Sequence, residues 1–295
     1  MTIFPLVATR SLLQVACFFV QSAVVYAAGF DDRIKNNSLA ISPNETIAVV
    51  SYSGEPTVLV YDLKSGKVQS KLEGFLTPRN IVFALDGARF YISDSGTGRI
   101  TIFDSASLKP TGDLAAGPGA FGTAISTDGS KLYVNNQAAS TVTVFDLKAN
   151  KAESVITGFA QPRQGVRVGP DGKQLYVTNF LGDNIMIVDT STNKIIGEIS
   201  GFDKIRAISI TADGKKLYAA NSGSNSIAIV DLETKKIVGA VKVGEDPYGA
   251  ALTPDGRFVY SGNLKGNSLS VIDTATATVV TTVTGLDEPR QAIAF

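Results

Sequence analysis

A repeat of about 42 residues constrains this chain more than any other feature of its sequence. An acidic or amide residue that opens a turn recurs at steps of 42, 42, 43, 42 and 42 residues, and glycine follows it in five of six cases. Such side chains followed by glycine favour a tight turn between two strands. The constant period indicates tandem copies of one structural unit. The residues of this first series are Asn44, Asp86, Asp128, Asp171, Asp213 and Asp255.

A second aspartate series has the same period, and each member ends a segment of alternating character such as "NIMIVD". Between the two series lie segments such as "KLYVNN" and "QLYVTN", which are rich in tyrosine and β-branched residues and therefore favour strands. No stretch has a helical period. The second series comprises Asp62, Asp104, Asp146, Asp189, Asp231 and Asp273.

Each unit is therefore predicted to be four short antiparallel strands, A to D. In the fourth unit these are "GVRVG", "KQLYVTN", "NIMIVDT" and "KIIGEIS". The predicted fold class is all-β, a β-propeller of four-stranded antiparallel blades with six complete repeats plus the first strand of a seventh. That last A strand is "QAIAF" at residues 291–295. The alternative is a closed six-bladed ring with a surplus final strand.

The N-terminus resembles a secretion signal. Arg10 precedes an uncharged run from Ser11 to Ala28, and small residues near Ala27 suit signal peptidase. We expect a signal peptide at residues 1–28, a lead-in at 29–38 and one propeller domain at 39–295. The mature protein would be periplasmic, cell-surface or secreted, with no stable membrane span after processing. A retained anchor is the alternative, but the run is short and contains glutamines.

Composition excludes several classes of function. The chain has no histidine, and its one cysteine, Cys17, lies in the predicted signal peptide. The usual ligands of zinc, copper, haem iron and iron–sulfur clusters are therefore missing, so no metal site and no cofactor, haem included, are predicted. Ser-His-Asp and Cys-His mechanisms are excluded as well. The 27 basic and 27 acidic residues balance, which makes a nucleic-acid partner unlikely.

The letters "YVTN" at residues 176–179, followed by "VD" and a Thr-Asn-Lys turn, resemble the YVTN β-propeller family of bacterial surface and periplasmic proteins. The resemblance spans residues 39–295. It implies the propeller fold but not one function, because relatives of this fold include lactonases, dehydrogenase subunits, surface antigens and scaffolds. We predict a non-catalytic scaffold that binds a small anionic ligand or a protein partner. The alternative is a lactonase-like hydrolase with an oxygen-ligated divalent metal in the channel.

Features that recur in every unit are predicted to be structural, because one function rarely needs six equivalent copies. This applies to both aspartate series, whose side chains can accept hydrogen bonds from turn amides. It also applies to the polar residues that end the B strands, which can hold the adjoining loops. These residues are Asp94, Asn136, Asn179, Asn221 and Asn263.

The D-to-A connections are predicted to meet at one mouth of the channel, on the face opposite the aspartate turns. They carry arginines and aromatic residues, which suit an anionic or planar ligand. Counted back from the turn residue, four of these share a register, Arg163 is displaced by one, and Arg290 cannot be counted. The structural alternative is that the arginines pair with Asp203, Asp287, Glu288 or neighbouring blades. The candidate ligand-binding residues are Arg79, Phe121, Arg163, Arg206, Tyr248 and Arg290.

Overall fold

Six four-stranded antiparallel sheets follow one another along the chain and form a propeller ring. The computed structural model describes residues 36–52 and 55–290. In each sheet the four strands lie in chain order, so that every neighbouring pair is a hairpin. The all-β fold class predicted from the repeat is confirmed. Within the described residues the helical content is one short 3-10 turn, Ser222–Ser224, and no helix is long and apolar enough to cross a bilayer.

The strands of blades 1 to 3 are β1 (Asn36–Ile41), β2 (Ile47–Tyr52), β3 (Val58–Asp62), β4 (Lys67–Leu72), β5 (Pro78–Phe83), β6 (Arg89–Asp94), β7 (Arg99–Asp104), β8 (Pro110–Ala115), β9 (Ala120–Ile125), β10 (Lys131–Asn136), β11 (Thr141–Asp146) and β12 (Lys151–Ile156). Those of blades 4 to 6 are β13 (Pro162–Val168), β14 (Gln174–Asn179), β15 (Asn184–Asp189), β16 (Lys194–Ser200), β17 (Ile205–Ile210), β18 (Lys216–Asn221), β19 (Ser226–Asp231), β20 (Lys236–Lys242), β21 (Ala251–Leu252), β22 (Phe258–Asn263), β23 (Ser268–Asp273) and β24 (Thr278–Thr284).

The A strands line the centre of the ring. Each contacts the A strand of the next blade, from β1 through β5, β9, β13 and β17 to β21. The A strand of blade 6 is the shortest, and an isolated bridge between Pro247 and Asn263 extends its pairing. The inner strands of all six described blades therefore face one central channel.

Apolar side chains from both faces of the blades form the core. A cluster of buried residues fills each of the five interfaces between consecutive blades. Between blades 4 and 5, for example, Ile187 packs with Leu217 and Val230, and all three are fully buried. Burying one such side chain stabilises a fold by about 1.5–3 kcal/mol, so the packing between blades is the main source of stability.

Both aspartate series have the predicted structural role. In all six A-to-B turns the first-series side chain accepts a hydrogen bond from the amide two residues later, for example from Lys173 to Asp171 at 3.0 Å. In all six C-to-D turns the second-series carboxylate accepts one from the amide three residues later, as from Thr192 to Asp189 at 2.8 Å. These turns bring the A-to-B and C-to-D connections to one face.

Several predictions made from the sequence fall on residues outside the described ones. The signal peptide at 1–28 and the A strand of a seventh blade at 291–295 both lie there. Strand β1 begins at Asn36, three residues before the predicted start of the propeller domain. The described propeller therefore comprises six complete blades, with the chain reaching Arg290 beside blade 6.

Candidate functional site

The six candidate residues occupy one position of the repeat. Four of them are the second residue of their A strand: Arg79 in β5, Phe121 in β9, Arg163 in β13 and Arg206 in β17. Tyr248 follows the bridge at Pro247, and Arg290 is the last described residue. Because the A strands begin on the face opposite the aspartate turns, these side chains surround that mouth of the channel. We call them the mouth ring.

Arg163 belongs to this ring in full register. A B-strand side chain of the preceding blade binds the backbone carbonyl of the ring residue 28 positions later. Ser51 donates to Arg79 O at 2.6 Å, Ser93 to Phe121 O at 2.5 Å, and Asn135 to Arg163 O at 2.6 Å. The count back from the turn residue put Arg163 one position out of register, because the extra residue of blade 4 lies between Arg163 and that turn.

That extra residue lies in an enlarged β-bulge. The pairing of β13 with β14 skips from Pro162 to Val166, whereas that of β17 with β18 skips only from Ile205 to Ile208. A bulge adds residues to one strand while the two strands remain paired on both sides of it. The extra residue that makes this repeat 43 residues long therefore lies within β13, and Arg163 stays at the mouth.

Arginines and aromatic rings alternate around the mouth. The guanidinium carbon of Arg163 lies 3.6 Å from the ring centre of Phe180, and that of Arg206 lies 4.5 Å from the ring of Tyr248. Arg79 lies 5.0 Å from Phe121 in the next blade. Such stacking holds the guanidinium groups in place while leaving their N–H edges available. The sequence analysis missed Phe180, which follows the B strand of blade 4.

Two of the four arginines have ion pairs. Nη2 of Arg206 lies 3.4 Å from Oδ1 of Asp246, and both side chains are largely buried. Nη2 of Arg290 lies 3.8 Å from Oε2 of Glu288. The pairing alternative thus holds for Arg290 through Glu288, and for Arg206 through Asp246 in the connection to the neighbouring blade 6, whereas Asp203 pairs with neither.

Arg79 and Arg163 form no ion pair with any described residue. Nε of Arg79 donates to Ser95 Oγ at 2.8 Å, as Nε of Arg206 does to Ser222 Oγ at 3.0 Å. In blade 4 the corresponding residue is Phe180, and the buried Nε of Arg163 has no hydrogen-bond partner among the described residues. Burial, followed by repulsion from Arg206 and Arg79, lowers the pKa of Arg163. An unpaired, partly desolvated guanidinium in this setting favours an anion.

The mouth is narrow enough for non-adjacent blades to interact. Nε2 of Gln164 in blade 4 donates to the carbonyl of Tyr248 in blade 6 at 3.5 Å. Burial lowers the pKa of Arg79 in blade 2, and repulsion from Arg290, beyond blade 6, lowers it further. A single ligand at the mouth can therefore contact several ring residues at once.

The polar residues at the ends of the B strands support this mouth. Asp94 is buried and accepts hydrogen bonds from the amides of Leu76 at 2.7 Å and Thr77 at 2.9 Å. Asn221 accepts one from the amide of Asp203 at 2.6 Å. They hold the D-to-A connections, as well as the B-to-C loops that the sequence suggested. Their structural role is thus confirmed. The carboxylate of Asp94 is occupied by hydrogen bonds from backbone amides.

Below the mouth the channel holds a cavity of about 740 Å³. All six A strands contribute to its wall, which extends to Pro43, Leu85 and Thr127 near the A-to-B turns. Most lining residues are apolar, and the one charged side chain among them is Arg167. The sequence analysis did not single out this residue, although it is the arginine in "GVRVG".

The described residues contain no group of three or more His, Cys, Asp or Glu side chains placed to hold a metal ion. The recurring aspartates accept hydrogen bonds in their turns. Hydrogen bonds from Ser126 and Ser130 hold the pKa of Asp128 at about 2, and those from Ser191 and Thr192 do the same for Asp189. The chemistry that the site supports is anion binding.

Comparison with known proteins supports the fold. A sequence model of the family described as "Lactonase, 7-bladed beta-propeller" matches residues 34–196, and one described as "Cytochrome D1 heme domain" matches residues 171–292. No curated protein matches the chain significantly. Kuenenia stuttgartiensis hydrazine synthase has a similar solved structure, with a TM-score of 0.80 and 18% identity over 90% of this chain and 91% of that one. At this identity the likeness shows the fold alone.

The haem named in the second family description does not fit this chain. Haem iron is most often bound by histidine, and the sequence contains none. Met186, the methionine among the described residues, packs against the apolar cluster between blades 3 and 4. We therefore assign no step of function to a haem.

Proposed function

The chain belongs to the lactonase-like, seven-bladed β-propeller family, and we propose that it acts as an exported, non-catalytic scaffold that binds an anionic ligand at the mouth ring. One observation carries this proposal. The guanidinium of Arg163 is stacked on Phe180, its buried Nε has no hydrogen-bond partner among the described residues, and no described carboxylate pairs with it. A carboxylate or phosphate, free or on a protein partner, would satisfy this group and the neighbouring Arg79.

Removal of the two unpaired arginines tests the mouth ring. Arg79→Gln with Arg163→Gln is expected to weaken binding of phosphate and citrate, measured by calorimetry, by at least about tenfold. A hydrogen bond to a charged group contributes roughly 1.5–3 kcal/mol. The melting temperature should not fall, because neither arginine forms an ion pair with a described residue.

Two control variants separate ligand binding from structure and from overall charge. Arg89→Gln with Arg99→Gln removes the same charge from exposed positions on β6 and β7 and should leave binding intact. Arg206→Gln should lower the melting temperature, because it leaves the largely buried Asp246 unpaired. Early unfolding of the Arg79 and Arg163 variant with every ligand-induced shift retained would contradict the proposal.

The proposal includes export, with residues 1–28 as the cleaved signal and the propeller, whose first strand begins at Asn36, as the mature domain. The uncharged run after Arg10 and the small residues near Ala27 support it. N-terminal sequencing after expression in a Gram-negative host should give a chain that starts at about residue 28 or 29. Intact Met1 on the cytoplasmic protein would contradict it.

A lactonase activity is the second candidate, and the description of the matching family favours it. The required metal would be held by oxygen ligands, since histidine is missing from the sequence. Hydrolysis of a simple lactone that depends on retained calcium and stops with a chelator would establish this activity in place of the scaffold role.

A further inference from the structure

Arg167 occupies a channel position at which the other blades have small or apolar residues. It lies opposite Tyr176 in the pairing of β13 with β14. The same pairing places Ser209 opposite Tyr218 in blade 5 and Ala251 opposite Tyr260 in blade 6. The six equivalent residues are Ala40, Val82, Ala124, Arg167, Ser209 and Ala251. A propeller does not need an arginine in this layer, so its presence calls for a specific partner.

The described residues of the channel offer Arg167 no negative charge. No aspartate or glutamate is among the described residues that line the cavity, and no described carboxylate forms an ion pair with this arginine. Its Nη1 donates to the backbone carbonyl of Val166 at 2.7 Å. A guanidinium has five N–H donors, so this bond leaves most of its capacity unused. Arg167 is partly buried, and a cation removed from water without a counter-charge is costly unless an anion joins it.

A second polar group in the same layer also lacks a partner. The hydroxyl of Ser209 is buried and has no hydrogen-bond partner among the described residues. Ser209 lines the same cavity as Arg167 and occupies the equivalent position in the adjacent blade. Together they supply a charged and a neutral donor from neighbouring strands.

The remaining wall determines what kind of anion fits. It is mostly aliphatic, with contributions from Leu39, Ile81, Val82 and Leu252, and the cavity volume of about 740 Å³ suits a small organic molecule. A hydrated inorganic ion would leave most of this wall in contact with water. We propose that the cavity binds an apolar monocarboxylate, with its carboxylate on Arg167 and Ser209 and its hydrocarbon part against the aliphatic wall.

This cavity is distinct from the mouth ring. Its lining includes none of the six ring residues, and it extends toward the opposite face. Arg167 lies four residues beyond Arg163 along β13, which is about 13 Å for an extended strand and less across a bulge. The inference therefore does not depend on the function proposed for the mouth.

Calorimetry with sodium octanoate on the full chain tests the assignment. Wild type should bind one octanoate, and octanol and octanamide should bind at least tenfold more weakly because they lack the charge. Arg167→Met, which keeps the length of the side chain without its charge, should weaken octanoate binding at least tenfold. Ser209→Ala should weaken it less, and Arg79→Gln with Arg163→Gln should leave it unchanged.

Further variants keep the test decisive if Arg167→Met does not fold. Arg167→Lys keeps the charge and should still bind octanoate, but more weakly than wild type. Ala251→Leu narrows the cavity and should reduce affinity for octanoate more than for acetate. The proposal is overturned if wild type does not bind octanoate, if octanol binds as tightly, or if the arginine variants leave affinity unchanged. Chloride or phosphate binding as tightly as octanoate would also overturn it, because the hydrocarbon part would then contribute nothing.

Discussion

Glu45 occupies a backbone conformation that glycine provides in the other five blades. Its φ is 55°, and glycine at the equivalent position has φ between 68° and 73°. In each blade the amide of this residue donates to the carbonyl three residues earlier, from Glu45 to Ser42 at 2.8 Å and from Gly256 to Thr253 at 2.8 Å. The turn is therefore the same, and at this turn position only blade 1 has a side chain in the left-handed region.

Replacing this residue should stabilise the propeller. Glu45→Gly is expected to raise the free energy of unfolding by roughly 1 kcal/mol, because glycine adopts positive φ without a Cβ penalty. The matched control is Gly256→Ala, where an added Cβ would meet no atom within 4 Å, so its cost comes from the backbone alone. Denaturant titration should show shifts of opposite sign, and a loss of stability in Glu45→Gly would contradict the argument.

The B strands are the elements that hold neighbouring blades together. In β14 the residues from Leu175 to Asn179 are all buried, although successive side chains point to opposite faces of the sheet. Tyr176 packs with Ile205 and Ile208 of blade 5, and its hydroxyl donates to Gln174 Oε1 at 2.6 Å. A B strand therefore serves two interfaces at once.

Truncation of Tyr176 should be costly for this reason. Tyr176→Ala is expected to lower the free energy of unfolding by roughly 3–5 kcal/mol, the usual cost of deleting a large buried aromatic side chain. Tyr176→Phe keeps the ring and should lose much less, since it removes only the hydroxyl and its bond to Gln174. An unchanged melting temperature in the alanine variant would place this ring outside the core.

Sequence periodicity predicted the blades well and the residues of the two proposed binding sites only in part. The turn aspartates and B strands recur in every unit, so their roles follow from the spacing alone. Phe180 and Arg167 break the repeat, because each stands where the equivalent residues are of another kind. Arg163 was counted one position out of register for a similar reason. The bulge in β13 changes the sequence spacing to the turn but leaves Arg163 at the mouth. Residues that depart from the repeat could have been found by aligning the six units strand by strand.

At the scale of the whole molecule, the mouth arginines and the recurring aspartate turns lie on opposite faces of the ring. Arginines surround the mouth at the start of the A strands, while the aspartate turns occupy the opposite face. The opposite face thus has many carboxylates with lowered pKa values in the turns that connect the strands of every blade.

The stability of the whole propeller should therefore depend on these turns at acidic pH. Hydrogen bonds from turn residues lower the pKa of eight aspartates from the two series, and those of Asp128 and Asp189 fall from 3.8 to about 2. A carboxylate whose pKa is lower in the folded state stabilises the fold above its unfolded pKa and loses that effect as the pH falls through its folded pKa. Stability should thus be constant from about pH 7 to 5 and decline from about pH 4 to 2.

The variant Asp189→Asn tests this dependence, because asparagine keeps a hydrogen-bond acceptor, as Asn44 does in blade 1, but does not titrate. It should make the melting temperature less dependent on pH between about pH 4 and 2. The control Asp287→Asn, which lies outside both aspartate series, should leave the pH dependence unchanged. Melting curves that decline equally for wild type and Asp189→Asn would show that protonation of this turn carboxylate does not contribute to acid unfolding.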